Sequence, residues 1–512
     1  MDARIVDAIA RLPDYFGSHV RVSLTALLLG LVISLPLAIA SVRRPALRAA
    51  LLTATSIVQT IPGLALLALF YPLLLGVAAL SERTLGVTFS ALGFLPAVLA
   101  LALYSMLPIV RNTITGIMGL DPAVKRAALG VGMTERQALR MVELPLALPV
   151  IMAGIRTASV WVIGTATLAT PIGQTSLGNY IFTGLQTQNW IFVLFGCVAA
   201  AVLALAVDRL LALVEQGYAD RSRNRMLAGG AGIALIVGLA LLPAWGGARG
   251  GYVIGAKPFS EQYILGALIE DRLRAKGLSA TRRDGLGSAV VFAALAAGDI
   301  DAYVEYSGTL WANQMQRTDI PSRAEVLAGV GSWVKERHGI DMVGPLGFEN
   351  AYALAVTRKR AADLGLRSIE HLAGQAPKMS IAGDYEFFGR PEWKALRQAY
   401  GLSFRDQRQM QAEFMYPAVA AGEVDVISAY TSDGRVDQFG LQVLEDTRQA
   451  IPPYDAILLV SPKRANDKAF LDALQPLVGK ISVELMREAN QRASEGATPE
   501  AAARWLADKI GG

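Results

Sequence analysis

Apolar positions are spaced differently in the two halves of this chain. Up to about residue 245 they form uncharged runs of about twenty residues, long enough to cross a hydrocarbon core as helices. The first predicted span covers 22–42. A longer run, 49–81, is interrupted by Pro62-Gly63 and Pro72, and a third covers 84–110. The fourth begins near Leu146 and includes Arg156. The stretch 157–207 is too long for one span and is broken by the polar, glycine-bearing segment 171–188, so a fifth span follows the break; 226–245 is the sixth. From about residue 250 the runs become short. Residues 252–257, 302–306, 351–356, 379–382, 424–429 and 457–460 read as buried strands, and 262–276 has helical periodicity. That alternation predicts an α/β domain with largely parallel sheets behind an all-α polytopic membrane domain.

Basic residues punctuate the apolar runs. Arg43, Arg44 and Arg48 follow the first span, and Arg111, Lys125, Arg126, Arg136 and Arg140 lie between the third and fourth. Arg221, Arg223 and Arg225 lie between the fifth and sixth. The positive-inside rule makes these loops cytoplasmic. Six spans return the chain to its starting side, so the N-terminus and the soluble half are expected to be extracytoplasmic; one span more or fewer reverses this. Asp2, Asp7 and Asp14 argue against a cleavable signal peptide, which needs a basic leading region. The expected domains are 1–220, with five spans; 221–251, with the sixth span and the linker GGARGG (246–251); and 252–512. Six linker residues reach at most about 20 Å, which keeps the soluble domain near the pore.

Composition agrees with this division. The 512 residues are 53% hydrophobic and 18% charged, too apolar for a soluble protein and too charged for a purely membrane one. The net charge of +5 is no nucleic-acid footprint, because many arginines flank spans. The single cysteine, Cys197, excludes an intrachain disulfide and a cysteine-rich metal site. The three histidines, His19, His338 and His371, form no H-x-x-x-H pair, and the chain has neither a G-x-S-x-G elbow nor a P-loop. An enzyme is disfavoured, no cofactor or metal is expected on this chain, and any ATP hydrolysis belongs to another polypeptide.

The loop between the third and fourth spans, 119–145, reads DPAVKRAALGVGMTERQALRMVELP from Asp121. Asp121-Pro122 is a helix start, and Gly132 is placed to end a short helix and turn the chain. Such a helix on the cytoplasmic side suits contact with a soluble partner; a plain connector is the alternative. The segment resembles the coupling loop of ABC importer permeases, whose pattern is E-A-A, three residues, G, nine residues, I-x-L-P. Ala127, Ala128, Gly132, Leu144 and Pro145 fall on that pattern, with Val142 at the isoleucine. Arg126 stands at the family's glutamate, so no ion pair from that position is carried over. The flanking IRNTITGI (109–117) and LPLALPVIMAGIRTA (144–158) resemble osmoprotectant permeases in particular. The resemblance covers about 15–215. It implies a type I importer fold, docking of this loop into a separate ATPase, and an assembly of two copies of this chain with two ATPase copies. Arg156, on the order of 16 Å into its span, either faces a cavity or pairs with a neighbouring helix.

In the soluble half, KPFSEQ (257–262), EYSGT (305–309), FENAYALAV (348–356), YEFFGRPEW (385–393), ISAYTSDGR (427–435) and IPPYDA (451–456) resemble the periplasmic binding proteins for glycine betaine, choline and carnitine. The resemblance covers essentially all of 252–512. It implies a type II-like, two-lobed domain, with one lobe from 252–347 plus 454–512 and the other from 348–453. A quaternary ammonium has no proton to donate, so it is recognised by aromatic faces at about 0.5–2 kcal/mol per ring once water is excluded. Its carboxylate, where present, needs fixed donors. Tyr306, Tyr352, Tyr430 and Tyr454 fall on the family's ring cage; Lys257, Thr309 and Arg390 fall on positions that contact the carboxylate or close the lobes. Gln262 and Asn350 are further candidates for the same pocket. Core packing is the alternative for any single tyrosine.

The expected function is therefore the permease and substrate-binding subunit of an ATP-driven importer for a small quaternary ammonium compound such as glycine betaine, choline or carnitine, in a bacterial inner membrane. Ergothioneine, a trimethylated histidine thione, is an alternative cargo, because fused chains of this kind handle it. Of another class, a ligand-gated channel or a receptor also joins a two-lobed binder to membrane spans, but a channel would need a selectivity filter and no coupling loop, and a receptor would carry a cytoplasmic signalling domain.

Overall fold

The computed structural model describes residues 3–86, 89–186, 189–246, 251–317, 319–384 and 386–511. The linker residues 247–250, Tyr385 of the YEFFGRPEW motif and Asp2 lie outside them. The chain divides into two compact units, one of Met1–Ile181 with Phe192–Gly247 and one of Ala248–Gly512 with Phe182–Ile191.

Among the described residues, six helices of the first unit are long and apolar enough to cross a membrane: Arg4–Val42, Gly63–Leu85, Phe94–Met118, Glu135–Ile172, Trp190–Ala219 and Arg223–Leu242. The first differs from expectation in length. It runs unbroken over the 40 residues Ala3–Val42, about 60 Å at the helical rise and about twice a hydrocarbon core. The run 49–81 contributes a separate helix, Pro45–Thr60, and then the span Gly63–Leu85. Of the two expected interruptions only Pro62 breaks the chain. Ile61 before it is extended (φ −75°, ψ 127°), the conformation a following proline imposes. Pro72 sits inside its helix, which a membrane bundle tolerates because neighbours re-satisfy the freed carbonyl. The third span begins at Phe94, ten residues later than the apolar run, because residues 84–85 complete the preceding helix. The polar break after the fourth span carries a 3-10 turn, Thr167–Ile172, and the short helix Gly178–Gln186.

The second unit contains two five-stranded sheets. The first holds β1 (Tyr252–Gly255), β2 (Ala280–Arg283), β3 (Ala302–Tyr306), β4 (Asp341–Glu349) and β10 (Asp455–Val460), in the order β2-β1-β3-β10-β4. The second holds β5 (Tyr352–Thr357), β6 (Ser380–Gly383), β7 (Asp406–Gln409), β8 (Val426–Tyr430) and β9 (Leu441–Val443), in the order β7-β6-β8-β5-β9. The sheets are mixed rather than largely parallel. In each, four strands run one way and the fifth runs against them, because β10 inserts antiparallel between β3 and β4 and β5 inserts antiparallel between β8 and β9. Those inversions mark where the chain crosses between lobes, once from β4 to β5 and once from β9 to β10.

Four strands escape the hydrophobic pattern. β2 (ATRR) and β7 (DQRQ) are polar edge strands, β9 has three residues, and β4 carries Gly344, Pro345 and Gly347. Each lobe buries an apolar core, with Ile254, Leu268, Val304 and Leu458 in the first and Leu354, Ile381, Trp393 and Val426 in the second.

Candidate functional site

The segment 121–145 is built as its sequence prescribes. Asp121 caps the helix Pro122–Gly130 by accepting from the backbone N–H of Ala123 at 2.8 Å. The chain then turns through Gly132, whose φ of +88° disfavours any side chain. Thr134 and Gln137 form a reciprocal capping box that opens the next helix, Glu135–Ala138. A π-turn, Leu139–Glu143, leads into Leu144–Ala166, with Pro145 in its first turn. Ala128 is buried, whereas Arg126, Ala127 and Gly132 are exposed and Val131 is 76% exposed. Arg43, from the loop after the first span, pairs with Glu135 and lies 3.7 Å from buried Glu143. Arg156 resolves to helix pairing. It makes a bidentate contact with Asp208 at 2.9 and 3.0 Å and a third bond to Glu215 at 3.1 Å, both on Trp190–Ala219.

In the second unit the four predicted tyrosines converge from strand ends. Tyr306 closes β3, Tyr454 immediately precedes β10, and Tyr352 and Tyr430 are direct cross-strand partners on β5 and β8. Rings of such partners face one another, here with centroids 4.8 Å apart. Tyr454 meets Tyr352 edge-on at 6.3 Å. Gly308 makes room for it, since a Cβ there would lie 2.4 Å from the Tyr454 ring. Phe259, which the sequence reading overlooked although it stands within KPFSEQ, bridges the set. It stacks on Tyr306 at 6.1 Å and lies parallel to Tyr430 at 6.5 Å with a 4° interplanar angle. Tyr306, Tyr352 and Tyr454 are buried at 4, 6 and 2% exposure.

Each hydroxyl is anchored by a carboxylate. Tyr306 donates to Glu261 at 2.6 Å and accepts from Gln262 at 3.0 Å. Tyr430 donates to Asp384 at 2.6 Å, Tyr352 lies 3.3 Å from the same oxygen, and Tyr454 donates to Glu392. Burial foremost, with the neighbouring acids, pushes all four phenols above their ordinary range, so they remain neutral donors. Asp384 is itself fixed by the N–H groups of Glu386 and Phe387 at 2.8 and 2.9 Å. These acids carry no signal in composition or spacing and become visible only with the fold.

The predicted cations are present and already paired. The Arg390 guanidinium lies 4.9 Å above the Tyr352 ring and bonds to Glu392 at 3.1 and 3.3 Å and to Glu386 at 3.1 Å. Three of its five N–H donors are thereby engaged. Lys257 is ion-paired with Glu305 and lies 5.3 Å from the Tyr306 ring. Thr309 is buried one turn beyond Tyr306. Asn350 donates to Glu261 at 3.0 Å. A separate cavity of about 510 Å³ at the crossing segments is lined by Arg323, Glu349, Leu444 and Ile451 and shares only Tyr352 with the ring cluster.

Comparison with known proteins places both halves. Residues 27–220 match the model of the binding-protein-dependent transport system inner membrane component, and residues 251–508 match that of the substrate-binding domain of ABC-type glycine betaine transport systems. The ergothioneine transport permease/ergothioneine binding protein EgtU of Helicobacter pylori (strain G27) is 29% identical over 462 residues, covering 86% of this chain and 80% of its own. The glycine betaine/carnitine/choline transport system permease protein OpuCB of Bacillus subtilis (strain 168) is 42% identical over 210 residues, 41% of this chain and 89% of its own. A solved structure described as a glycine betaine/carnitine/choline ABC transporter is 26% identical, with a TM-score of 0.45, over 50% of this chain and 98% of that one. These relatives are transport proteins; the six apolar helices and the permease match make this chain a multi-pass membrane protein, and its family is that of transporter subunits rather than enzymes. The chain belongs to the ABC importer family, as an inner-membrane permease joined in one polypeptide to a substrate-binding domain of the glycine betaine type.

Proposed function

We propose that this chain imports a small trimethylammonium carboxylate, with ATP hydrolysed by a separate subunit. The carrying observation is the convergence of Tyr306, Tyr352, Tyr430, Tyr454 and Phe259 around one buried locus beside Arg390. Ring faces attract a methylated cation that can form no hydrogen bond, and the two remaining Arg390 donors suit its carboxylate. Lys257 and Thr309 border the site, and Gln262 and Asn350 hold its walls. Arg126, Ala127, Ala128, Gly132, Leu144 and Pro145 belong to the segment that docks on the ATPase. Its exposed Leu129, Val131 and Met141 supply an apolar contact face. Two copies of the chain form the pore and assemble with two copies of the ATPase, and residues 252–512 lie outside the cytoplasm, on the side set by arginine placement.

Glycine betaine and ergothioneine share the trimethylammonium carboxylate and differ in the imidazole-thione. A relative that matches across both halves is named for ergothioneine, and the parallel Phe259 and Tyr430 rings suit a flat heterocycle. Calorimetric titration of the purified full chain against glycine betaine, choline, carnitine and ergothioneine tests the reading. Saturable heat with at least one carboxylate-bearing member is expected, and silence from all four sinks it. Protease protection in oriented vesicles tests the sidedness, and a C-terminal half shielded with the cytoplasmic loops would reverse the direction of transport.

A further inference from the structure

One acid beside the rings has partners that the cage alone does not require. Glu261 is 3% exposed, and its carboxylate is held by four neutral donors. Tyr306 and Asn350 donate to one oxygen at 2.6 and 3.0 Å, and Ser432 and Asn490 donate to the other at 2.6 and 2.8 Å. These donors come from three places. Tyr306 ends β3 and Asn490 lies on the helix Val483–Ser494, both in the first lobe. Asn350 stands on the first crossing segment, and Ser432 follows β8 in the second lobe.

Two features show that the site is organised around the carboxylate. The side-chain oxygens of Asn350 and Asn490 are buried and, among the described residues, have no partner. Both amides therefore leave an acceptor unsatisfied in order to aim their N–H groups at Glu261. The second-lobe segment that carries Ser432 also rests on the first lobe. Arg487 donates to the Thr431 carbonyl at 2.8 and 3.0 Å, and Asn490 donates to the Ser432 carbonyl at 2.9 Å. A Cβ at Gly434 would lie 2.7 Å from the Gln491 backbone nitrogen, so the approach there admits only glycine.

We propose that Glu261 is a positioning residue that latches the second lobe onto the cage through Tyr306; this rests on the cage reading above. Its bonds to Tyr306 and Asn490 persist within one lobe, whereas its bond to Ser432 exists only while the lobes are together. Hydrogen bonds in a low-dielectric site strengthen as water leaves. A ligand that fills and dries the cleft therefore tightens the latch, and the latch in turn slows ligand escape. Because it forms after encounter, its loss falls on dissociation rather than association.

The test uses the full chain in lipid nanodiscs, with radiolabelled glycine betaine and ergothioneine as probes. Glu261→Gln and Ser432→Ala should each release probe at least tenfold faster, with association within threefold of wild type. A second readout needs no ligand. Spin labels at exposed Lys335→Cys in the first lobe and Lys378→Cys in the second, in a Cys197→Ser background, report the interlobe distance. Both variants should shift it to longer values. Unchanged distances in both variants, or a loss confined to association, overturn the latch. If wild type binds neither probe the cage reading fails, and the distances still decide the latch. Ser432→Ala, which removes one hydroxyl, serves if Glu261→Gln does not fold.

Discussion

Tyr430 separates a ring that binds from a ring that merely packs. Its face lies 4.8 Å from Tyr352 and 6.5 Å from Phe259, while its hydroxyl bonds to Asp384 at 2.6 Å. Tyr430→Ala removes the face. A desolvated cation–π contact contributes about 1–2 kcal/mol, so affinity for a trimethylammonium probe should fall on the order of tenfold. Tyr430→Phe keeps the face and deletes the bond. One Asp384 oxygen then depends on Tyr352 at 3.3 Å, while the other keeps its two backbone donors. Losing a hydrogen bond to a charged group should cost about 1.5–3 kcal/mol of folding stability, with affinity within about threefold of wild type. Titration calorimetry gives the affinities and thermal unfolding the stabilities. If phenylalanine costs as much affinity as alanine, the hydroxyl rather than the face holds the ligand. If alanine costs less than threefold, Tyr430 belongs to the core and not to a cage.

Other expectations are independent of that one. Gly308→Ala drives a methyl into the Tyr454 ring, where the gap is 2.4 Å, and should cost about 1–3 kcal/mol of stability while also lowering ligand affinity; a variant with wild-type melting and binding would show that Tyr454 is free to move. Arg156→Ala leaves Asp208 and Glu215 without their cation; the loss, measured as thermal stability in detergent, should fall below the roughly 3–5 kcal/mol of a fully buried pair, because the arginine is 28% exposed, and Asp208→Asn should restore part of it. At Asp433 burial acts to raise the carboxyl, but Arg435, by charge and hydrogen bonds, holds it below its ordinary 3.8. A depressed folded value stabilises the protein above that ordinary value and is lost as pH falls through the folded one. Asp433→Asn should therefore lower melting near neutrality and flatten its acid-side decline below about pH 4; a parallel decline in both proteins would contradict this.

Much of the architecture was legible because membranes and sheets impose periodicities that need no tertiary knowledge. Uncharged runs gave six spans, Asp121-Pro122 and Gly132 gave the helix start and turn of the loop between the third and fourth spans, and alternating apolar runs gave β1, β3, β5, β6, β8 and β10 to within two residues. Errors arose where a run did not report its own ends. The first helix extends nineteen residues before its apolar stretch, and Pro72, expected to interrupt its run, lies inside a continuous helix. Edge strands such as ATRR and DQRQ are polar because one side meets solvent, so hydrophobic pattern does not find them.

The sequence alone determined which residue types were available. It set four tyrosines at strand ends, an arginine and a lysine in matching motifs, and a basic loop between the third and fourth spans with the turn chemistry of a short capped helix. Tertiary structure decided how those groups meet. Inserting β10 and β5 antiparallel into their sheets brings Tyr306, Tyr352, Tyr430 and Tyr454 together from positions up to 148 residues apart, and sets Glu261, Asp384 and Glu392 beneath their hydroxyls. The physical reason is that a hydrophobic pattern encodes burial, which is local, whereas a carboxylate is stable at depth only where donors from distant segments converge on it, and that convergence is a property of the folded chain.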